Sequence, residues 1–203
     1  MPDDSTANKK SNADIRQSRR NERQSLAGHV QRRHSQLLCR NTVTQKAYRN
    51  ARHIALYIAS DGEIDPSALI EHARFMGKKL YLPVLAPLND SLYFAPFESN
   101  SQLILNRYNI PEPRCHPSSW KTARQLDLLL VPLVAFDAHG NRIGMGGGFY
   151  DRSLAYLRNR MLWKKPTLIG LAHELQKVEQ LNMQSWDIPL DCIITEERCY
   201  CTG

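Results

Sequence analysis

The stretch GNRIGMGGGFYDR, residues 140–152, gathers five of the chain's ten glycines and closes on two aromatic residues, an acid and an arginine. Glycine costs backbone entropy on ordering, so such a density points to a loop whose backbone must come close to something. Gly144, Gly146, Gly147 and Gly148 follow an apolar run and precede a helix predicted from Phe149. The start of a helix leaves N–H groups unpaired and carries positive partial charge, which attracts anions. Glycines there remove the side chains that would hold a phosphate away. Arg142 and Arg152 can add charge, and Asp151 in the first helical turn offers hard oxygen to Mg2+. The stretch lacks the Gly-Lys-Ser/Thr of a Walker loop and the spacing of a dinucleotide fingerprint. A tight turn with close helix–sheet packing is therefore the competing reading.

Other elements must hold this loop. Residues 1–12 are polar and read as a disordered tail, with 13–203 as a single domain. From Ala13 to Arg52 there is one glycine and no proline. Ile15, Leu26, Val30, Leu37 and Leu38 predict one or two amphipathic helices with a basic outer face. HIALYIAS (53–60) reads as a buried strand, and DPSALIEHARFMG as a helix opened by Asp65 and Pro66 and closed by Gly77. KKLYLPVLA, SLYFAPF, LDLLLVPLVAFD (126–137), TLIGLA and CIITEE supply further strands. Tyr150, Leu154, Leu157 and Met161 share one face of the helix after the loop. Strands alternating with helices predict an α/β layered domain, a largely parallel sheet flanked by helices.

Composition narrows the function classes. No apolar run approaches the roughly 20 residues of a membrane span, and the first residues lack the apolar core of an export signal. The five cysteines are scattered and read as reduced thiols of a cytoplasmic protein. The histidines show no metal-ligand spacing, and no Ser/His/Asp order suggests a hydrolase. Residues 1–52 carry twelve Lys and Arg against four Asp and Glu, whereas the remaining 151 carry fifteen against sixteen. That excess suits a polyanionic ligand or a solvated helix face. A non-catalytic nucleotide- or RNA-binding protein is one alternative, although residues 9–46 hold no aromatic side chain to stack on bases. An isomerase acting on sugar phosphates is another.

NRIGMGGGFYDR resembles the signature of the 5-formyltetrahydrofolate cyclo-ligase (5,10-methenyltetrahydrofolate synthetase) family. RQSRRNERQSL, YIASDGEID, YNIPEP, LDLLLVPLVAFDAHGNRIG and WDIPLDCIITEE resemble further family segments in the family's order, together covering about residues 13–197. The resemblance implies a fold similar to isomerase and CoA-transferase-like layered proteins. It also implies ATP-dependent cyclisation of 5-formyltetrahydrofolate to 5,10-methenyltetrahydrofolate, with ADP and phosphate released and no covalent nucleophile.

ATP would then contact Arg16, Arg20, Arg142, Ile143, Gly144, Met145, Gly146, Gly147, Gly148, Phe149 and Tyr150. The folate, possibly polyglutamylated, would contact Glu63, Tyr108, Met145, Gly146, Gly147, Gly148 and Phe149. Mg2+ would be held by Asp151 and Asp187. The resemblance implies a cytoplasmic monomer with no nucleic-acid or membrane partner. Some animal members carry a basic residue within the glycine run, where this chain has Met145 and Gly147. Phosphate charge must then be met by Arg142, the N-terminal arginines or metal.

Overall fold

A computed structural model of the chain describes residues 11–86, 91–159 and 165–201. Three helices come first, α1 (Asn12–Gln24), α2 (Gly28–Val43) and α3 (Lys46–Asn50), followed by β1 (His53–Ala55) and α4 (Ser67–Phe75). Next come β2 (Lys79–Leu85), β3 (Leu92–Pro96), β4 (Leu103–Leu105), β5 (Pro111–Pro113), β6 (Leu128–Pro132), β7 (Ala135–Phe136) and β8 (Arg142–Ile143). The chain continues through α5 (Phe149–Ser153), β9 (Thr167–Leu171), β10 (Cys192–Ile194) and β11 (Cys199–Cys201).

Seven strands form one sheet in the order β11-β10-β9-β6-β1-β2-β3. All four inner pairings, β10–β9, β9–β6, β6–β1 and β1–β2, are parallel. Antiparallel β3 and β11 finish the two edges. The expected α/β class with a largely parallel sheet is the one observed. A strand covered on both faces reads as an unbroken apolar run whose alternate residues serve opposite cores. Leu128 and Leu130 face a cluster with Ile54, Leu56, Leu38, Leu69 and Ile169. Leu129 and Val131 face the other, with Ala55, Leu168, Ile193, Leu154 and Leu157.

Parallel strands deliver their C-terminal ends to one edge of a sheet, where ligand-contacting loops collect. β1 leads there to Ser60–Glu63, where Asp61 and Gly62 take positive φ values of 52° and 73°. β9 leads to His173 and β10 to Glu196. β6 leads into the β7–β8 hairpin, whose turn is pinned by the buried Asp137: its carboxylate accepts from the backbone N–H groups of His139, Asn141 and Leu181. That hairpin carries the glycine loop.

Several expectations need correction. Ser11 caps α1 through a capping box with Asp14, so the helix takes in Asn12; residues 1–10 of the expected tail lie outside the described residues. The long helix after the loop is a five-residue α5 followed by a 3-10 turn over 155–158, and Met161 lies outside the described residues. So short a helix carries little dipole, which weakens the dipole part of the expected anion site. Cys192 and Cys201, directly opposed on β10 and β11, form a disulfide, leaving Cys39, Cys115 and Cys199 as thiols. All five had been expected reduced; sequence spacing does not show that β11 folds back onto β10.

Candidate active site

Helix α1 is not merely a basic surface. Arg23 is completely buried and donates to the carbonyls of Asp61 (2.8 Å) and Leu133 (3.1 Å) and to the Asp61 carboxylate (2.7 Å). Arg20 grips the same carboxylate through Nε at 2.8 Å and Nη2 at 3.1 Å. The Gln24 amide donates to it as well. Arg19 donates to the Leu175 carbonyl, and Arg16 Nε to the Gly144 carbonyl at 2.8 Å. The expected basic outer face is thus turned largely inward, because a buried guanidinium needs partners and the loop carbonyls supply them. The paired Arg20 and Arg23 hold Asp61 at a pKa of about 2, below its ordinary 3.8. Gly62 completes the fit: a Cβ there would lie 2.9 Å from the Arg23 carbonyl oxygen.

The glycine loop begins at this junction. Ile143 packs with Ile15 of α1, Ala135 and Leu181, fixing the loop's root. Gly146 (φ 102°) and Gly148 (φ 63°) occupy backbone conformations that favour glycine. At Gly147 a Cβ would meet the Phe149 ring at 2.7 Å. Gly144 differs from all three. Its φ is not positive, and a Cβ there would find nothing within 4 Å. Neither backbone strain nor neighbouring atoms account for glycine at that position.

Around the loop stand the expected substrate residues. Glu63 accepts the Ser60 N–H at 3.1 Å through Oε2, which leaves Oε1 without a protein partner among the described residues. Burial pushes its carboxyl pKa up, and it interacts electrostatically with the hydroxyls of Tyr57 and Tyr150, whose own pKa values burial raises. Tyr108, half exposed, stands edge-on to Phe149 with ring centroids 5.8 Å apart. The structure thus pairs Arg16 with Gly144, Arg20 with Asp61 and Tyr108 with Phe149, and sets Glu63 within electrostatic reach of Tyr150.

Arg142 is buried, with one terminal nitrogen on the Ile188 carbonyl and the other 2.9 Å from Asp151 Oδ1. These bonds hold Asp151 in place. Asp151 Oδ1 also accepts the Ile188 N–H at 3.3 Å. The preceding residue, Asp187, closes a turn by accepting the Gln184 N–H at 2.8 Å. Each carboxylate keeps one oxygen without a bond among the described residues. That donor set fits Mg2+, which takes one or two protein carboxylates and fills its shell with water and phosphate oxygen.

Asp61 and Arg23 were missed as site residues. An Asp-Gly dipeptide is a turn signal, and Arg23 follows Arg20 by three positions, on nearly the same face of α1. Nothing in the local pattern joins these two features, which lie 38 residues apart.

Residues 8–196 match the model of the 5-formyltetrahydrofolate cyclo-ligase family. The 5-formyltetrahydrofolate cyclo-ligase of Escherichia coli is 37% identical over 182 residues, 89% of this chain and 98% of its own. That of Haemophilus influenzae is 41% identical over 155 residues, 73% of this chain and 81% of its own. The solution structure of Aquifex aeolicus 5,10-methenyltetrahydrofolate synthetase superposes with a TM-score of 0.77 at 27% identity, covering 94% of this chain and 92% of that one.

Proposed function

The chain belongs to the 5-formyltetrahydrofolate cyclo-ligase family, and from that premise we propose that it converts 5-formyltetrahydrofolate and ATP to 5,10-methenyltetrahydrofolate, ADP and phosphate. A formamide oxygen is a poor leaving group. The formyl oxygen therefore first attacks the γ-phosphorus of ATP and ADP departs. N10 then attacks the activated formyl carbon, its proton is lost, and phosphate leaves with the former formyl oxygen. No side-chain nucleophile enters. The protein must align two substrates and offset phosphate charge, the usual demands of phosphoryl transfer.

Each residue's part follows from its surroundings. The Gly144–Gly148 backbone cradles the ATP phosphates. Arg16, whose Nε is fixed on the loop, and Arg20, which keeps Nη1 free of Asp61, direct charge toward them. Mg2+ bound with the nucleotide would offset charge on the phosphate oxygens, held by Asp151 and Asp187. Arg142 serves as a positioning residue for Asp151. Glu63 receives N–H groups of the reduced pterin, while Tyr108 and Phe149 offer faces to its ring. The reading is of a single-domain enzyme acting as a monomer in the cytoplasm. The nucleic-acid alternative is disfavoured because the α1 arginines that would make its basic surface are tied to Gly144, Leu175, Asp61 and Leu133.

The observation that carries the ATP assignment is the open space at Gly144, where a Cβ would meet no described atom beyond its chain neighbours within 4 Å, bordered by Arg16. Gly144→Val fills that space without opposing the backbone, unlike Gly146→Val, which would strain a φ of 102°. The expected outcome is at least a tenfold weaker Kd for ATP, about 1.4 kcal/mol, with an unchanged circular dichroism spectrum. Wild-type ATP affinity in the folded variant would remove phosphate from this loop.

A further inference from the structure

His34 on α2, His173 beyond β9 and Glu196 beyond β10 converge although long stretches of chain separate them. His34 Nδ1 lies 2.9 Å from His173 Nδ1 and 3.3 Å from Glu196 Oε1, and one donor atom from each residue falls within 4.8 Å of the others. A tetrahedral zinc with bonds of about 2.0–2.1 Å sets its ligand atoms roughly 3.3 Å apart. The three donors are thus already near the edges of such a polyhedron.

Their surroundings favour ligation. His173 is fully buried and directs its Nδ1 at the His34 ring. Glu196 Oε2 accepts the Glu174 N–H at 3.0 Å, which orients the carboxylate and leaves Oε1 for the histidines. His34 remains partly exposed, leaving an approach for an ion and a water.

We propose that His34, His173 and Glu196 form a binding site for a divalent cation of the zinc class, distinct from the Mg2+ that accompanies ATP. Two imidazoles with one carboxylate select transition metals over the hard cations that prefer all-oxygen shells. The ion would clamp α2 to the ends of β9 and β10. The bland counterpart is a pair of imidazoles sharing one proton beside a carboxylate.

Cobalt(II) titration of the purified, metal-stripped protein without nucleotide separates the two. The expected result is one equivalent bound with the intense visible absorption of four-coordinate cobalt, displaced by Zn2+ but not by excess Mg2+. His34→Ala should weaken binding by more than about 100-fold, beyond the 10–100-fold cost of losing an outer partner. Glu196→Gln should weaken it too. His29→Ala, changing an exposed histidine on the same helix, should leave it intact. Circular dichroism shows whether each variant is folded. Absence of stoichiometric binding, a spectrum unchanged in folded His34→Ala, or thiolate charge-transfer bands from Cys39, Cys115 or Cys199 would each overturn the site.

Discussion

Asp61→Asn is expected to lower the stability of the protein by about 3 kcal/mol, the lower end of what breaking a buried ion pair costs. The substitution keeps the backbone preference, since Asn tolerates the positive φ at this turn. What it removes is the charge facing Arg23, which is wholly buried and cannot give up its proton. Two carbonyl contacts remain to that guanidinium, but among the described residues no other carboxylate hydrogen-bonds to it. Urea denaturation should show a lower midpoint with an unchanged slope. The pH dependence has a definite sign. Paired chiefly with Arg20, Asp61 binds its proton less readily when folded, with a pKa of about 2 against 3.8. Its contribution is complete above pH 3.8 and disappears as pH falls through 2. The stability gap between wild type and variant should close over that interval. A gap absent at neutral pH would mean that Asp61 does not compensate Arg23.

Glu63→Gln is expected to cost roughly 1.5–3 kcal/mol in affinity for 5-formyltetrahydrofolate while ATP affinity stays near wild type. The carboxylate already gives Oε2 to the Ser60 N–H. An amide in its place satisfies that bond with its oxygen and turns its NH2 outward. The ligand's N–H groups then meet a donor where Oε1 had accepted. Paired calorimetric titrations with each ligand measure the split. Wild-type folate affinity would reject the contact, and equal losses for both ligands would indicate a disturbed fold.

The sheet was legible because its strands are buried on both sides. LDLLLV and TLIGL can satisfy two cores only as strands with alternating faces, and both do so. The glycine loop was legible by density alone; the edge-on contact of Tyr108 with Phe149 was not. Other features depend on distant chain. Arg142 looks like a free charge until Ile188 and Asp151 fold against it. The arginines of α1 look solvated until Ser60–Glu63 and Leu133 supply acceptors. The helix after Phe149 keeps its apolar spacing, but Leu154 and Leu157 reach the core equally well from a short helix and a 3-10 turn. His34 and His173 are 139 positions apart, and no spacing rule joins them.

The most direct test of ATP-driven ring closure is the ultraviolet absorbance of 5,10-methenyltetrahydrofolate on mixing the purified protein with 5-formyltetrahydrofolate and Mg2+, with and without ATP. The expected result is product formed only with ATP, with one ADP released per methenyltetrahydrofolate. Product at the same rate without ATP, or none under either condition from folded protein that binds both ligands, would contradict it.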